Sequence, residues 1–220
     1  MCGEVKGSRG NYIRRKSLIS GSVEFGYPVG ADGDYGDAHQ RRAFQRIFDL
    51  AKLDHKTPEF SALNPFETIP ILELDDGTRI AETIAICRYI EALWPEPNLF
   101  GLTALEQATI EMWQRQLEWR LLFPIAQVVR HSHPKMAEME NPQVPDWAAA
   151  NLPRALKAMA IVDEALRDRP FIAGDRFTVA DITGLVALDF AKSARIAIPP
   201  ELVYLNRWRE ALKMRPSAAA

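Results

Sequence analysis

The sequence predicts an α/β domain followed by an all-α domain. Three observations carry this. Two short apolar runs flank Asp75-Asp76-Gly77 and lead into an amphipathic stretch; a proline-rich segment, Trp94 to Gly101, comes next; beyond it only helical spacing recurs, opened twice by capping residues.

At 220 residues the chain has room for one large or two small domains. A net charge of −2 lacks the basic footprint that nucleic-acid binding needs. No run of eighteen apolar residues occurs and the first residues lack an apolar signal core, so neither membrane insertion nor secretion is expected. Two cysteines build no disulfide framework and fit a reducing cytoplasm. His39, His55, His131 and His133 are scattered apart from the last pair, so no metal site is expected.

Residues 1–42 hold eight of the twelve glycines and few aliphatic residues at regular spacing, which reads as loop or disorder. From Ala43 to Leu50 apolar residues alternate, the mark of a strand. Ile71 to Leu74, bounded by Pro70 and the Asp-Asp-Gly turn, is a buried strand, and Thr78 to Ile80 is its return. Ile86, Ile90 and Leu93 then recur at helical spacing beside Ala85 and Tyr89, with Glu82 and Thr83 at the helix's first turn.

That turn carries chemistry. The open N–H groups and positive dipole end of a helix suit a carboxylate, and a threonine hydroxyl adds a donor. A cis bond before Pro70 would turn Ile69 outward, leaving its N–H and C=O free for an extended peptide. Together they suit a short peptide with a free amino-acid end.

In order, Asn64-Pro65, Ile69-Pro70, Leu72-Glu73-Leu74-Asp75-Asp76-Gly77-Thr78 and Glu82-Thr83-Ile84-Ala85-Ile86-Cys87-Arg88-Tyr89 resemble the glutathione-binding half of the cytosolic glutathione S-transferases. The resemblance implies a thioredoxin-like N-terminal domain, here 43–94. Its first strand and helix should lie within 1–42, where they are unrecognisable. Family members place a Ser, Cys or Tyr after an apolar strand, at the start of the first helix, against the glutathione sulfur. Tyr12, Ser17, Ser20, Ser22 and Tyr27 have the right chemistry but none has that setting, and Cys2 reads as a terminal thiol. The segment is therefore expected to be the translation of another reading frame or an unusual replacement. Without a first strand, a thioredoxin-like sheet would have an open interior edge. Phe66-Glu67-Thr68 also departs from the family's common Leu-Gly-Lys or Leu-Gly-Gln.

After a linker at 95–103, residues 104–220 read as a helical domain. Thr103 and Glu106 form a capping box, Ile110, Trp113, Leu117 and Leu121 share a stripe, and Pro124 predicts a bend. Trp113 and Trp119 read as core or inter-helix packing; the resemblance also makes Trp113 and Gln116 candidates for the substrate pocket. His131-Ser132-His133-Pro134 closes the helix and has two readings. The histidines satisfy the helix end, or an imidazole and the Ser132 hydroxyl hold a water that takes the thiol proton. Residues 146–167 form a further helix with Leu156, Met159, Val162 and Leu166 toward the core and a kink at Pro153. Thr178 and Asp181 make a second capping box, read as a folding determinant, and Leu205, Trp208 and Leu212 mark the last helix. Arg130-His131-Ser132-His133-Pro134 and Gln143-Val144-Pro145-Asp146-Trp147 are similar to bacterial transferases of the fungal-like subgroup.

The resemblance, over about 43–217, implies a cytoplasmic glutathione transferase, a homodimer as is typical of the family, that adds the glutathione thiolate to small hydrophobic electrophiles. Glutathione is the co-substrate. Thr68, Ile69, Pro70, Glu82 and Thr83 would bind it: Ile69 the cysteinyl part, Glu82 and Thr83 the γ-glutamyl end. A non-catalytic or inactivated binding protein of the same fold is the alternative.

Overall fold

The computed structural model describes residues 16–20 and 43–215. They fall into two compact units, parted between Leu93 and Trp94.

The first unit is built on a four-stranded sheet in the order β2-β1-β3-β4. Strand β1 (Lys16–Ser20) runs parallel to β2 (Ala43–Ile47), with Lys16 opposite Ala43 and Ser20 opposite Ile47. On its other side β1 is antiparallel to β3 (Ile71–Glu73), with Leu18 opposite Leu72. The hairpin from β3 to β4 (Arg79–Ala81) completes the sheet.

Strand β1 corrects the expectation of loop at 16–20. The segment Lys-Ser-Leu-Ile-Ser carries only two aliphatic residues, a weak local signal, yet it fills an interior position with ladders on both sides. Pairing and packing outweigh intrinsic strand preference at such a position. The interior edge is therefore occupied. Of the candidate sulfur-contact residues, Ser17 and Ser20 lie on β1, whereas Tyr12, Ser22 and Tyr27 lie outside the described residues, as does Cys2.

Phe48, Phe60 and Ile71 form the core of this unit, with Leu63 and Ile69 packed against them. The Phe48 and Phe60 rings meet edge to face, centroids 4.9 Å apart. Phe60 is placed by a single helical turn, α1 (Pro58–Ser61): Pro58 opens it and the Thr57 hydroxyl accepts from the Phe60 amide at 3.3 Å. In the hairpin, Gly77 takes φ +84°, and Asp76 accepts the Thr78 amide at 2.9 Å, which holds its carboxyl below the usual range. Helix α2 (Thr83–Leu93) buries Ile86 and Cys87.

The second unit is helical. Helix α3 (Ala104–Gln116) passes through a π-helical segment, Leu117–Leu122, into α4 (Phe123–Ser132); then come α5 (Pro145–Ala165), α6 (Val179–Ala191) and α7 (Val203–Lys213). The π segment stands immediately before the proline where a bend is expected. Pro124 has no N–H for the fourth carbonyl back, and wider turns accommodate the missing bond. At the start of α3 the Thr103 hydroxyl accepts from the Glu106 amide, while the Glu106 carboxylate takes the Leu102 N–H at 2.8 Å and the Arg176 guanidinium.

Ile110, Trp113, Leu117, Leu121 and Ile125 are buried along one face. Trp119 is not in the core: it is 61% exposed, its ring beside Phe123 with centroids 5.8 Å apart. Position 119 lies two residues from both 117 and 121, on the opposite side of the helix.

Asp181, fully buried, forms the expected capping box and does more. One oxygen accepts from the Thr178 amide at 2.9 Å; the other accepts from the Ile172 amide at 2.9 Å and the Trp208 indole at 3.0 Å. Helices α5 and α7 also cap each other. The Leu205 amide, near the start of α7, donates to buried Asp163 at 2.8 Å, and Arg207 donates to the Leu166 carbonyl at the end of α5 at 2.7 Å.

Candidate functional site

The sheet-bearing unit brings five of the candidate residues to one end of the β3–β4 hairpin. Buried Asn64 organises the approach: its Nδ2 donates to the Thr68 carbonyl at 2.8 Å and the Thr68 hydroxyl at 3.0 Å, and its Oδ1 accepts from the Phe66 amide at 3.1 Å. Between them the chain turns at Glu67, φ +55°, whose amide donates to the Asn64 carbonyl at 2.9 Å. Thr68 is exposed, and its hydroxyl, accepting from Asn64, keeps its own proton to donate.

The Ile69–Pro70 bond is cis. The β3 ladder begins only at Ile71, and among the described residues neither backbone polar group of Ile69 has a hydrogen-bond partner. Ile71 pairs with Ala81, so Pro70 and Glu82 adjoin a pair of strands about 5 Å apart.

Glu82 is exposed, in a left-handed conformation at φ +72°. Its carbonyl accepts the Ile86 amide at 3.0 Å, the first bond of α2. The amides of Thr83, Ile84 and Ala85 are therefore the open end of that helix, and among the described residues no side chain caps them. An uncommon backbone conformation, a free carboxylate and three open amides converge where a ligand with both an ammonium and a carboxylate would be held.

The other candidates stand in the helical unit. His131 is buried; its Nδ1 accepts from the Val144 amide at 3.1 Å, and its Nε2 is 3.8 Å from Glu140. The neutral ring then carries its proton on Nε2, leaving neither nitrogen with an open lone pair. The same holds for His133, whose Nδ1 accepts from the Lys135 amide at 3.2 Å. The Ser132 hydroxyl donates back to the Val128 carbonyl at 2.6 Å. All three side chains thus have partners at the end of α4, as the first of the two readings expects. Trp113 is buried with the Arg169 guanidinium over its ring, 5.2 Å from the centroid, and Gln116 is exposed.

Residues 42–93 match the family model described as glutathione S-transferase, N-terminal domain, and residues 126–216 match the C-terminal domain model. Glutathione S-transferase 2 of Saccharomyces cerevisiae is 37% identical over 210 residues, covering 94% of this chain and 90% of that protein. The chain belongs to the glutathione S-transferase family.

Solved structures agree. The crystal structure of Gtt2 from Saccharomyces cerevisiae superposes with a TM-score of 0.75 at 40% identity, over 80% of this chain and 86% of that one. A glutathione S-transferase domain-containing protein from Marinobacter aquaeolei gives 0.77 at 38% identity over the same shares. The first unit is thus the thioredoxin-like domain of a glutathione S-transferase and the second its helical domain. No helix among the described residues is long and apolar enough to cross a membrane.

Two residues of this glutathione S-transferase fold escaped the reading of motifs. Asn64 stands in the sequence as half of an Asn-Pro pair, although an Asn whose side chain can accept the amide two residues on is a recognisable turn signal. Glu67 stands in the sequence as a departure from the family's glycine, with nothing local to show its partners. Its carboxylate is taken by Lys56 at 2.7 Å and the Ser61 hydroxyl at 2.9 Å, and both hold its carboxyl below the usual range.

Proposed function

We propose that the chain is a glutathione transferase that presents the glutathione thiolate to small hydrophobic electrophiles. The observation that carries this is the Ile71–Ala81 pairing, which sets the open backbone of Ile69 beside the open first turn of α2. Ile69 pairs with the cysteinyl part of the tripeptide through its N–H and C=O. The Glu82 carboxylate takes the γ-glutamyl ammonium, and the α2 amides with the Thr83 hydroxyl take the γ-glutamyl carboxylate. Thr68 adds a donor at the loop, and Pro70 fixes where the ladder begins.

This grip holds the peptide so that its thiol is positioned for reaction. A free thiol with a pKa of about 8.5 is only slightly ionised at neutral pH, so turnover also requires that the sulfur lose its proton. The thiolate then forms the new carbon–sulfur bond to the electrophile. Leu105, Met112 and Trp119 stand exposed at seven-residue spacing on α3 and the π segment, a stripe that a second copy would cover in a homodimer. Family membership and two cysteines suit a cytoplasmic setting.

Calorimetry with glutathione tests the grip, followed by conjugation of an aryl halide. Binding with turnover is expected. Binding without turnover selects the non-catalytic module, and no binding at millimolar glutathione overturns the reading.

A further inference from the structure

Glu67 combines two features that local structure does not require together. Its backbone sits at φ +55°, a region that favours glycine, yet its side chain is held at both carboxylate oxygens. Oε2 accepts from Lys56 Nζ at 2.7 Å and Oε1 from the Ser61 hydroxyl at 2.9 Å. Lys56 ends the short turn Asp54–Lys56, and Ser61 ends α1, whose Phe60 is rooted in the core. The carboxylate therefore ties the exposed turn to the rigid part of the domain. Ile69 follows two residues later.

We propose that Glu67 is a positioning residue for the glutathione grip, tethering to Lys56 and Ser61 the left-handed turn that delivers Ile69 to the peptide. Asn64 pins the same loop from the buried side through Thr68 and Phe66, so the loop is held at both faces. Glycine at position 67 would take the backbone conformation freely but would leave the outer face untied. The chain thus accepts a strained residue where an unstrained one would fold, and what it gains is the tether. A loop already fixed in the bound conformation loses less entropy when the peptide docks. The inference rests on the proposed glutathione site.

The test is calorimetry with glutathione on the full chain, comparing it with Glu67→Gly, Lys56→Met and the double variant, alongside thermal unfolding. Glu67→Gly is expected to weaken binding about two- to fivefold, the range of an exposed ion pair, while the unfolding midpoint holds or rises. Lys56→Met should weaken binding similarly, and the double variant no more than either single. In turnover, the KM for glutathione should rise while that for the electrophile stays put. Equal glutathione affinity in the unmodified chain and Glu67→Gly would overturn the proposal but leave the grip standing. Failure of the unmodified chain to bind would overturn both. Additive losses in the double variant would overturn the tether.

Discussion

Ile71 faces Ala81 across the antiparallel ladder, and this one pairing sets the residue before the first beside the residue after the second. Pro70 precedes the β3 ladder and Glu82 precedes α2, so the two halves of the proposed grip are fixed by strand register. A slip of one residue would carry them apart and turn each side chain to the other face.

Glu82→Gly should separate affinity from stability. Glycine adopts φ +72° without strain, a gain of about 1 kcal/mol, which the greater freedom of its unfolded chain roughly cancels. Losing a charge-assisted contact to the γ-glutamyl ammonium should weaken glutathione binding about tenfold or more. Calorimetry and urea unfolding on one preparation check both; unchanged affinity would remove Glu82 from the grip.

His131→Ala should act on stability before chemistry. It strips the Val144 amide of its acceptor at the start of α5, at a cost of about 1 kcal/mol. Conjugation per folded molecule should keep its pH profile. Loss of the profile's lower limb with glutathione affinity intact would instead make the imidazole the base.

Glu106 gives a pH signature. Arg176 and the Leu102 amide hold its carboxyl below the ordinary range, so the folded chain binds that proton less tightly than the unfolded one. The stabilisation is present above the unfolded value, about 4.3, and fades as pH falls through the lowered one. Denaturant unfolding of the unmodified chain and Glu106→Gln should differ at pH 7 and converge toward pH 3. A constant gap would contradict this.

Gly184→Ala sets two effects against each other. Alanine favours a helix by about 1 kcal/mol over glycine. At this point of α6, however, a Cβ would lie 2.7 Å from Ile172 Cδ1 and 3.1 Å from the Trp208 ring, both buried. Overpacking commonly costs about 1–3 kcal/mol, so a net loss of about 1 kcal/mol is expected in chemical denaturation. A stabilised variant would show that the Ile172 side chain yields.

Much of the candidate site was legible because its parts are local. The Asp75-Asp76-Gly77 turn, the Ile-Pro pair and the start of α2 lie within twenty residues, and each obeys a short-range rule. Thr178 and Asp181 were equally plain, being three residues apart. Strand β1 was hidden because an interior strand can draw its stability from neighbours distant in sequence. The second duty of Asp181, to Ile172 and Trp208, and the bond from Leu205 to Asp163 were hidden for the same reason. Trp119 misled because its size suggested core, whereas its phase against Leu117 and Leu121 points outward.

The exchange of caps between α5 and α7 binds the end of the chain to its middle. Asp163 relies on an amide supplied only after forty further residues have been made, and Leu166 on a guanidinium from the same turn. During synthesis, therefore, α5 leaves the ribosome with a carboxylate that cannot settle in an apolar interior until α7 emerges. The helical domain can close only once α7 has been made, and products that stop short of it are left without their final clasp.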